Sequence, residues 1–333
     1  MYFLLCISLI FTLLLAINII SSITAEVFWR VVSPFLKNVS ARKREQFIFA
    51  LSVLPFACAL VLVFVFLLPA YLLFEPHESD EIVSLKLALL TFVSLIGIFI
   101  AFFRVFRTWQ ATHRLVSNWL KNAEVVKIPN ISIPVHRIKH QFPVIAVVGV
   151  FRPQMFIAEK IFDSLNPAEL EAALAHEYGH LAGYDNLKRT ILRISRDLLI
   201  FPLGKTLERA WAETAESAAD EFAAQTGGNS MALNLAAALV KIARIVPQNA
   251  SPAMPLGAFL IEKNNAHITG RVRRLLQLAG NLNSLKSTAS FNPRIAFQIC
   301  SALVFVSILV LATNHNFLFQ VHTILEKFVA ALQ

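Results

Sequence analysis

The residues best suited to chemistry in this sequence are His176, Glu177 and His180, which form the pattern HExxH. Residues four apart share one face of a helix, so both imidazoles can point at one metal ion. Glu177 lies between them, where a carboxylate can take a proton from an attacking water and pass it to a leaving amine. The pattern therefore predicts a zinc site with His176 and His180 as metal ligands and Glu177 as the catalytic base.

The sequence around HExxH predicts a helix with a well-marked start. Asn166 is a candidate N-cap, Pro167 suits the first helical position, and Glu169 falls where a capping box requires an acid. Apolar residues then recur at helical spacing, and Gly183 is a candidate end. The helix predicted from Pro167 to Gly183 would hold both histidines on one face.

A third metal ligand is required, because two histidines alone make a weak zinc site. A second predicted helix, Lys205 to Gln225, carries Glu213, Glu216 and Asp220. Glu216 and Asp220 share a face, so we expect Glu216 to be the third ligand and Asp220 to orient a ligand imidazole. Glu213 is the rival ligand. The alternative interpretation of these acids is a solvated helix face.

Together these patterns resemble those of gluzincin membrane metallopeptidases, and of the BlaR/MecR-like signal-transducer type in particular. The resemblance rests on HExxH with Asp185 shortly after it, on Glu216-Ser-Ala-Ala-Asp220, and on the segment Gly149 to Ala158, which has the Gly-x-x-x-Pro pattern of that group. It covers roughly residues 132–279. Ala158 stands where that group often has proline.

The resemblance implies a zincin-like domain that cleaves a protein, either a cytosolic partner such as a repressor or the chain itself. It also implies that an edge strand near the zinc helix holds the substrate backbone. Asp185 is expected to bond near the zinc helix rather than to the metal. No penicillin-binding sensor domain follows the last apolar segment, so antibiotic sensing is not expected. Heat-shock and prenyl-protein proteases are the second family choice.

The composition is that of a membrane protein. Of 333 residues, 56% are hydrophobic and only 15% are charged, which is too apolar for an ordinary soluble domain. The cysteines, Cys6, Cys58 and Cys300, lie in apolar runs without metal-binding spacing, so we expect buried thiols rather than disulfides.

Four apolar segments are long enough to cross a bilayer. They are Met1–Ala25, Phe47–Phe74, Ile82–Phe103 and Ile295–Ala312. The first is expected to be an uncleaved anchor rather than a signal peptide. The tail from Phe317 is apolar enough to lie on a membrane surface. The sequence thus predicts a polytopic α-helical membrane protein, mostly α with a small β-sheet, divided into residues 1–103 (three spans), 104–294 (peptidase domain) and 295–333 (fourth span and tail).

The charges between the spans predict an orientation. Lysine and arginine residues lie between the first two spans and after the third, whereas the loop from Glu75 to Glu81 has four acidic residues and no lysine or arginine. By the positive-inside rule, the peptidase domain faces the cytoplasm across a cell (plasma or inner) membrane, and both termini lie outside. A nucleic-acid partner would be another reason for the net charge of +9, but no nucleic-acid-reading motif occurs.

Within the predicted domain, short β-prone runs come first, at Val135–Ile138, Val144–Val150 and Met155–Ala158. Predicted helices follow, at Leu187–Leu199, Ser230–Val246 and His267–Leu278 besides the two already given, with a loop at Pro247–Gly257. His113, His136 and His140 are interpreted as surface or structural residues. Tyr184 and His267 are both candidates to stabilise an oxyanion, and the sequence does not choose between them.

The sequence thus predicts a membrane zinc metalloendopeptidase that hydrolyses a protein or peptide substrate, with Zn²⁺ and no organic cofactor. The alternative from another class is a non-catalytic signalling or scaffold protein that keeps zinc as a structural staple. A channel or transporter is disfavoured, because charged residues within the spans are nearly absent.

Overall fold

A computed structural model describes residues 2–37, 39–76, 83–126, 134–140, 142–197, 204–245, 265–285 and 293–332. Its sheet consists of β1 (Glu124–Val126), β2 (Val135–Ile138), β3 (Ile145–Val148) and β4 (Gln154–Ala158). The α-helices are α1 (Tyr2–Val32), α2 (Ala41–Val61), α3 (Leu68–Phe74), α4 (Leu85–Lys121), α5 (Glu159–Ser164), α6 (Pro167–Ala182), α7 (Asp185–Asp197), α8 (Lys205–Ile245), α9 (Asn265–Leu285), α10 (Pro293–Thr313) and α11 (His315–Leu332).

Three long apolar helical segments are the candidate membrane spans. They are Tyr2–Leu36, Ala41–Phe74 and Leu85–Lys121, each long and apolar enough to cross a bilayer. The second contains a π-helical stretch, Leu62–Leu67, between the two prolines of the segment. The third joins the predicted span and the predicted juxtamembrane helix into one helix of 37 residues. These helices support membrane association.

The fourth predicted span corresponds to α10, which is followed by a sharp bend. The described part of α10 and the helix α11 pass the span criteria only together, and they meet at 77°. α11 packs over one end of the bundle, where Leu325 and Val329 cluster with Tyr2, Tyr71 and Leu87. The two ends of the chain therefore lie at the same end of the helical bundle, and the tail is anchored there by packing.

The sheet is small and mixed, with strand order β1-β2-β4-β3. β2 pairs with β4 in parallel, and the other two pairs are antiparallel. The predicted strands are confirmed. β1 and the short helix α5 were not predicted. β3 is an edge strand, and its four residues are all buried. Ile145 and Val147 cluster with residues of α6 on one face, and Ala146 and Val148 cluster with residues of α4 on the other.

The helices that carry the candidate site form where the sequence predicts them. α6 begins with the predicted capping box, in which Asn166 accepts from the Glu169 N–H and the Glu169 carboxylate accepts from the Asn166 N–H. α8 runs on past its predicted end, but Gly228 has non-helical angles (φ 73°) and breaks it where the glycines predict a stop. The predicted loop Pro247–Gly257 lies outside the described residues.

The start of α2 joins the apolar bundle to α7 and α8. Glu45 is fully buried, and its carboxylate accepts from Lys188 Nζ at 2.9 and 3.0 Å and from Trp211 Nε1 at 2.7 Å. The N–H of Ala41 donates to Glu221 at 2.9 Å. The first turns of the second candidate span thus contact both α7 and α8.

Candidate metal centre

Close packing of α6 against α8 brings the two halves of the predicted site together. Gly179 lies at the crossing, where an added Cβ would come within 3.1 Å of the Ala219 Cα and 3.3 Å of Phe222. A side chain here would push against α8 by a few tenths of an ångström, so glycine favours the close approach that brings the histidine face of α6 to the acidic face of α8. The position of Glu216 and Asp220 relative to HExxH therefore depends on a residue inside the pattern itself.

The structure brings His176, His180 and Glu216 into one cluster. The two Nε2 atoms are 3.1 Å apart, and the Glu216 carboxylate oxygens lie 3.5 Å from each of them. A tetrahedral ion with bonds of about 2.0–2.1 Å requires ligand atoms roughly 3.3 Å apart. His176 and His180 are almost fully buried. The separations and the two-nitrogen, one-oxygen donor set fit zinc.

Each imidazole is held by an acid through its other nitrogen. His176 Nδ1 lies 2.9 Å from Asp220 Oδ1, and His180 Nδ1 donates to Asp185 Oδ2 at 2.7 Å. A carboxylate on Nδ1 fixes the tautomer that leaves the Nε2 lone pair free for a metal, and it makes that nitrogen more basic. Asp220 and Asp185 thus lie where the sequence predicts acids that orient the ligands.

Glu177 lies beside the cluster with one oxygen held and one oxygen free. Its Oε2 accepts from the N–H of Val147 on β3 at 3.1 Å. Its Oε1 is buried, and no described residue forms a hydrogen bond with it. A free buried carboxylate oxygen next to three convergent donor atoms is suited to accept a proton from a water in the site.

Arg271 on α9 is a member of the cluster that the sequence interpretation missed. Its guanidinium donates to both oxygens of Asp220, at 2.7 and 2.9 Å, and lies 3.0 Å from Glu216. It also approaches His176 at 3.4 Å. The sequence shows a basic helix from His267 onward, but the sequence alone does not show that one of its arginines faces the acids of α8.

Burial and mutual charge shift the pKa values in the cluster. Burial raises the pKa of Glu177 to about 7. Burial opposes ionisation of Glu216, but His180 and Arg271 outweigh it and lower its pKa to about 2. Burial and Arg271 lower the pKa of His176, but bonds to Asp220 and Glu216 raise it to about 9. Glu216 is thus ionised throughout the physiological range, whereas Glu177 titrates near neutrality.

The remaining predicted residues are dispersed. Glu213 is exposed and outside the group whose ligand atoms converge. Tyr184 is 70% exposed, with a φ of 55°. His136 is buried against Phe156, and His140 contacts Phe142 and Trp119, so both lie in the sheet region as structural residues. His113 stacks on Trp109 of α4. His267 falls in α9, where the structure describes its backbone alone.

The predicted edge strand lies beside the site, but side chains already form hydrogen bonds with part of its exposed backbone edge. At Val147, the N–H donates to Glu177 and the carbonyl accepts from Asn186 Nδ2 at 2.9 Å. Asn186 also donates to the carbonyl of Gly149. Glu177 of HExxH and Asn186 therefore bind the strand to which a substrate backbone was predicted to pair.

Comparison with known proteins identifies a peptidase family. The model of peptidase family M48 matches residues 112–288, just over half of the 333-residue chain, and the match contains every residue of the cluster. No curated protein matches the chain. The match does not confirm the BlaR/MecR-type specificity, and it does not support a role in signal transduction.

Members of the matching family are metallopeptidases that bind zinc, and the geometry of the cluster is compatible with zinc. The match extends over the end of α4, the sheet and the helices up to α9, which together build and surround the site. The chain therefore belongs to peptidase family M48.

Proposed function

We propose that the protein is an integral-membrane zinc metalloendopeptidase that hydrolyses peptide bonds of a protein substrate. The observation that carries the proposal is the convergence of three groups: His176 Nε2 and His180 Nε2 are 3.1 Å apart, and Glu216 Oε2 and Oε1 lie 3.5 Å from the first and the second nitrogen respectively. The acids bonded to both Nδ1 atoms leave the Nε2 lone pairs free to bind an ion. His176, His180 and Glu216 would hold the zinc.

Zinc in such a site polarises a peptide carbonyl and makes water acidic enough to attack at neutral pH. Glu177 accepts the proton of the attacking water at its free oxygen, Oε1, and then delivers it to the leaving amine. In the metal-free cluster, burial raises the pKa of Glu177 above its ordinary value. A carboxylate that titrates closer to the working pH can both take and give a proton. The N–H of Val147 holds the other oxygen and fixes the direction of the carboxylate.

The proposal includes a location and partners. Three apolar helices support membrane association. We propose that residues 1–103 and 295–333 lie in a lipid bilayer, and that the peptidase domain faces the cytoplasm with both termini outside, as the charge pattern favours. The substrate is then a protein or peptide that reaches the cytoplasmic face. A cytosolic regulator or the chain itself is a candidate.

The first experiment measures zinc and cleavage on the full-length protein in detergent. We expect one zinc per chain in the wild type and its loss in His176→Ala, His180→Ala and Glu216→Ala. Glu213→Ala serves as the control and should retain zinc, because its side chain is exposed. Zinc loss in Glu213→Ala with retention in Glu216→Ala would exclude Glu216 as the third ligand.

Two further variants separate chemistry from metal binding. Glu177→Gln should bind zinc normally, yet cleave unstructured casein at a rate lower by a factor on the order of 10² or more. Asp220→Asn should weaken zinc affinity by about 10- to 100-fold and regain activity with added metal. Near-normal turnover by zinc-loaded Glu177→Gln would contradict the assigned mechanism. Zinc without cleavage in the wild type would favour the non-catalytic scaffold.

A further inference from the structure

One face of α4 is apolar and exposed both within the candidate span and beyond it. Phe102, Phe106 and Trp109 are all exposed. They are spaced four and three residues apart, so they share one face of the helix. His113 lies four residues after Trp109 and stacks on its ring, with 5.9 Å between the two centroids. The exposed aromatic face of the candidate span therefore continues without interruption to His113.

The length of α4 sets the level of Trp109 relative to a bilayer. Leu87, near the start of α4, clusters with Tyr2 and Tyr71 at the end of the bundle where the two chain ends gather. Trp109 follows Leu87 by 22 residues, which is about 33 Å at the helical rise of about 1.5 Å per residue. A hydrocarbon core is roughly 30 Å thick, and the headgroup layers bring a bilayer to about 40–45 Å. With Leu87 at one edge of the core, Trp109 lies among the headgroups at the other.

A cavity of about 350 Å³ opens at this level between α4 and the loop that joins β3 to β4. We call it the α4-side cavity. Trp109, His113 and Val116 form its α4 wall, and Phe151 and Arg152 of the β3–β4 loop lie on the other side. Since its α4 wall is the continuation of the exposed face of the candidate span, a lipid of the adjoining bilayer can enter it sideways.

The polar groups of the α4-side cavity favour an anion. The described residues that line it include Arg152, His113 and Gln154 but no aspartate or glutamate. Arg152 is exposed, and in the described part of the chain no carboxylate pairs with it. By contrast, Arg104, also on α4, pairs with Asp197 at 3.2 Å. A guanidinium can bind a phosphate through two parallel hydrogen bonds, so the cavity fits a phosphate ester joined to an apolar chain.

Phe151 supplies the apolar contact of the β3–β4 loop. Its side chain is 88% exposed, the largest exposed fraction of any bulky apolar residue in the described part of the chain. Aromatic side chains are enriched at the interface between a membrane and water, where such a ring is covered. Arg152 follows directly in the sequence. The loop thus presents an apolar ring and a cation side by side, the combination by which protein segments lie on anionic membranes.

Hydrogen bonds connect the β3–β4 loop to the helices of the metal centre. Asn186 Nδ2 donates to the carbonyls of Val147 and Gly149, at 2.9 Å in each case. The N–H of Val147 donates to Glu177 in turn. A lipid bound at Arg152, three residues after Gly149, would therefore fix the position of the metal centre relative to the bilayer surface.

We propose that the α4-side cavity binds the phosphate headgroup of an anionic phospholipid. Arg152 and His113 donate hydrogen bonds to the phosphate, and Trp109 and Phe151 contact the upper part of the acyl chains. An anionic lipid is preferred over a zwitterionic one, because the ammonium group of the latter would meet Arg152 without a compensating acid. This inference rests on the membrane location that is part of the proposed function, and it involves neither zinc nor cleavage.

Quenching of Trp109 fluorescence tests the proposal on the full-length protein in phosphatidylcholine nanodiscs. The discs contain increasing fractions of either brominated phosphatidylglycerol or brominated phosphatidylcholine, because bromine quenches only a nearby indole. The emission of Trp109 is the difference between the wild type and Trp109→Phe. We expect half-quenching at an about fivefold lower fraction of phosphatidylglycerol, the scale of attraction by one cation at an anionic surface. Equal quenching by the two lipids would overturn the proposal.

Two pairs of variants assign the preference to the α4-side cavity. Arg152→Gln should abolish the preference for phosphatidylglycerol, whereas Arg273→Gln should retain it, because Arg273 is exposed and does not line the cavity. Phe151→Ser should weaken quenching by both lipids to a similar extent. Phe35→Ser should not, although Phe35 is also an exposed phenylalanine, at 79%. A preference that persists in Arg152→Gln would show that general surface charge attracts the lipid, and it would refute the site.

The quenching experiment separates this inference from the proposed function, because it needs neither zinc nor turnover. If the protein cleaves nothing while Trp109 still distinguishes the two lipids, the peptidase proposal fails and the lipid site stands. If a zinc-loaded, active peptidase shows no such preference, the activity stands and the lipid site fails. A Trp109 that neither brominated lipid quenches would lie outside the headgroup layer, which would refute the position on which the inference depends.

Discussion

At the scale of single residues, the site is a set of ionisable groups whose charges depend on one another. Glu216 and Asp220 remain ionised although buried, because Arg271 and the histidines surround them. Burial raises the pKa of Glu177 to about 7 and outweighs the histidines, which also favour its charged form. The residue proposed to exchange protons is thus the carboxylate of the cluster whose pKa is raised rather than lowered.

This difference predicts that Glu177→Gln stabilises the metal-free protein at neutral and higher pH. The folded-state pKa of Glu177 is raised from 4.5 to about 7. Its contribution to stability is therefore fully present below pH 4.5 and is lost as the pH rises through 7. Gln keeps the bond from Val147 without a charge, so the gain should be on the order of 3 kcal/mol above pH 7 and vanish near pH 4.5.

Thermal unfolding of chelator-treated wild type and Glu177→Gln at pH 5 and pH 8 measures the gain. The exposed Glu213→Gln is the control and should not move the midpoint at either pH, because substitutions at the surface usually change stability by less than about 0.5 kcal/mol. An advantage for Glu177→Gln that is larger at pH 5 than at pH 8 would contradict the sign of the shift.

A second prediction at this scale concerns Arg271. Arg271→Gln leaves Asp220 without its main counter-charge and Glu216 without one of its neighbouring cations. Removing one member of a buried charge pair costs about 3–5 kcal/mol. Bound zinc supplies positive charge at the same place, so the substitution should lower the free energy of unfolding less in the zinc-loaded protein than in the metal-free protein. We expect zinc to raise the unfolding midpoint of Arg271→Gln more than that of the wild type. The neighbouring exposed Arg273→Gln should respond to zinc like the wild type, and an equal response of Arg271→Gln would contradict the idea.

At the scale of elements, the sequence predicts those features that depend on residues close together in the chain. The capping box at Asn166 and Glu169, the glycine break in α8 and the strands β2, β3 and β4 were all predictable, because neighbouring residues specify them. The position of α9 was not, because the bonds of Arg271 to Asp220 join residues 51 apart. The docking of α2 is a similar case, since Glu45 meets Trp211 across 166 residues. Periodicity shows which face of a helix is apolar, but it does not show which partner covers it.

The start of α2 gives the prediction at this scale. Glu45→Gln removes the charge that binds Lys188 and Trp211 in a fully buried position, so α7 and α8 should separate from α2. We expect a loss of about 3–5 kcal/mol and faster cleavage by added trypsin within the basic stretch that begins at Arg42. Lys43→Gln removes an exposed charge from the same helix and should behave as the wild type in both assays.

At the scale of the whole molecule, the metal cluster and the two chain ends lie at opposite regions of the bundle. Tyr2, Tyr71, Leu87 and Val329 cluster at one end. Ala41, at the start of α2, contacts α8 and lies 30 residues before Tyr71 in a nearly continuous helical segment. At a rise of about 1.5 Å per residue, that separation is about 45 Å, which exceeds the roughly 30 Å hydrocarbon core of a bilayer. The helices are therefore long enough to cross a membrane and still hold the peptidase domain clear of it.

The charge pattern then predicts which side each end occupies. Acidic residues from Glu75 to Glu81 follow the end that gathers Tyr2, Tyr71 and α11, whereas Arg42, Lys43 and Arg44 lie at the end that contacts the metal helices. Since basic residues remain in the cytoplasm, a cysteine placed at Ser79 should react with an impermeant thiol reagent added to intact cells. A cysteine at Gly228, on α8, should react only after the cells are opened. The parent for both is a variant without Cys6, Cys58 and Cys300. Labelling of Gly228→Cys in intact cells, with Ser79→Cys protected, would invert the orientation and place the metal centre outside the cytoplasm.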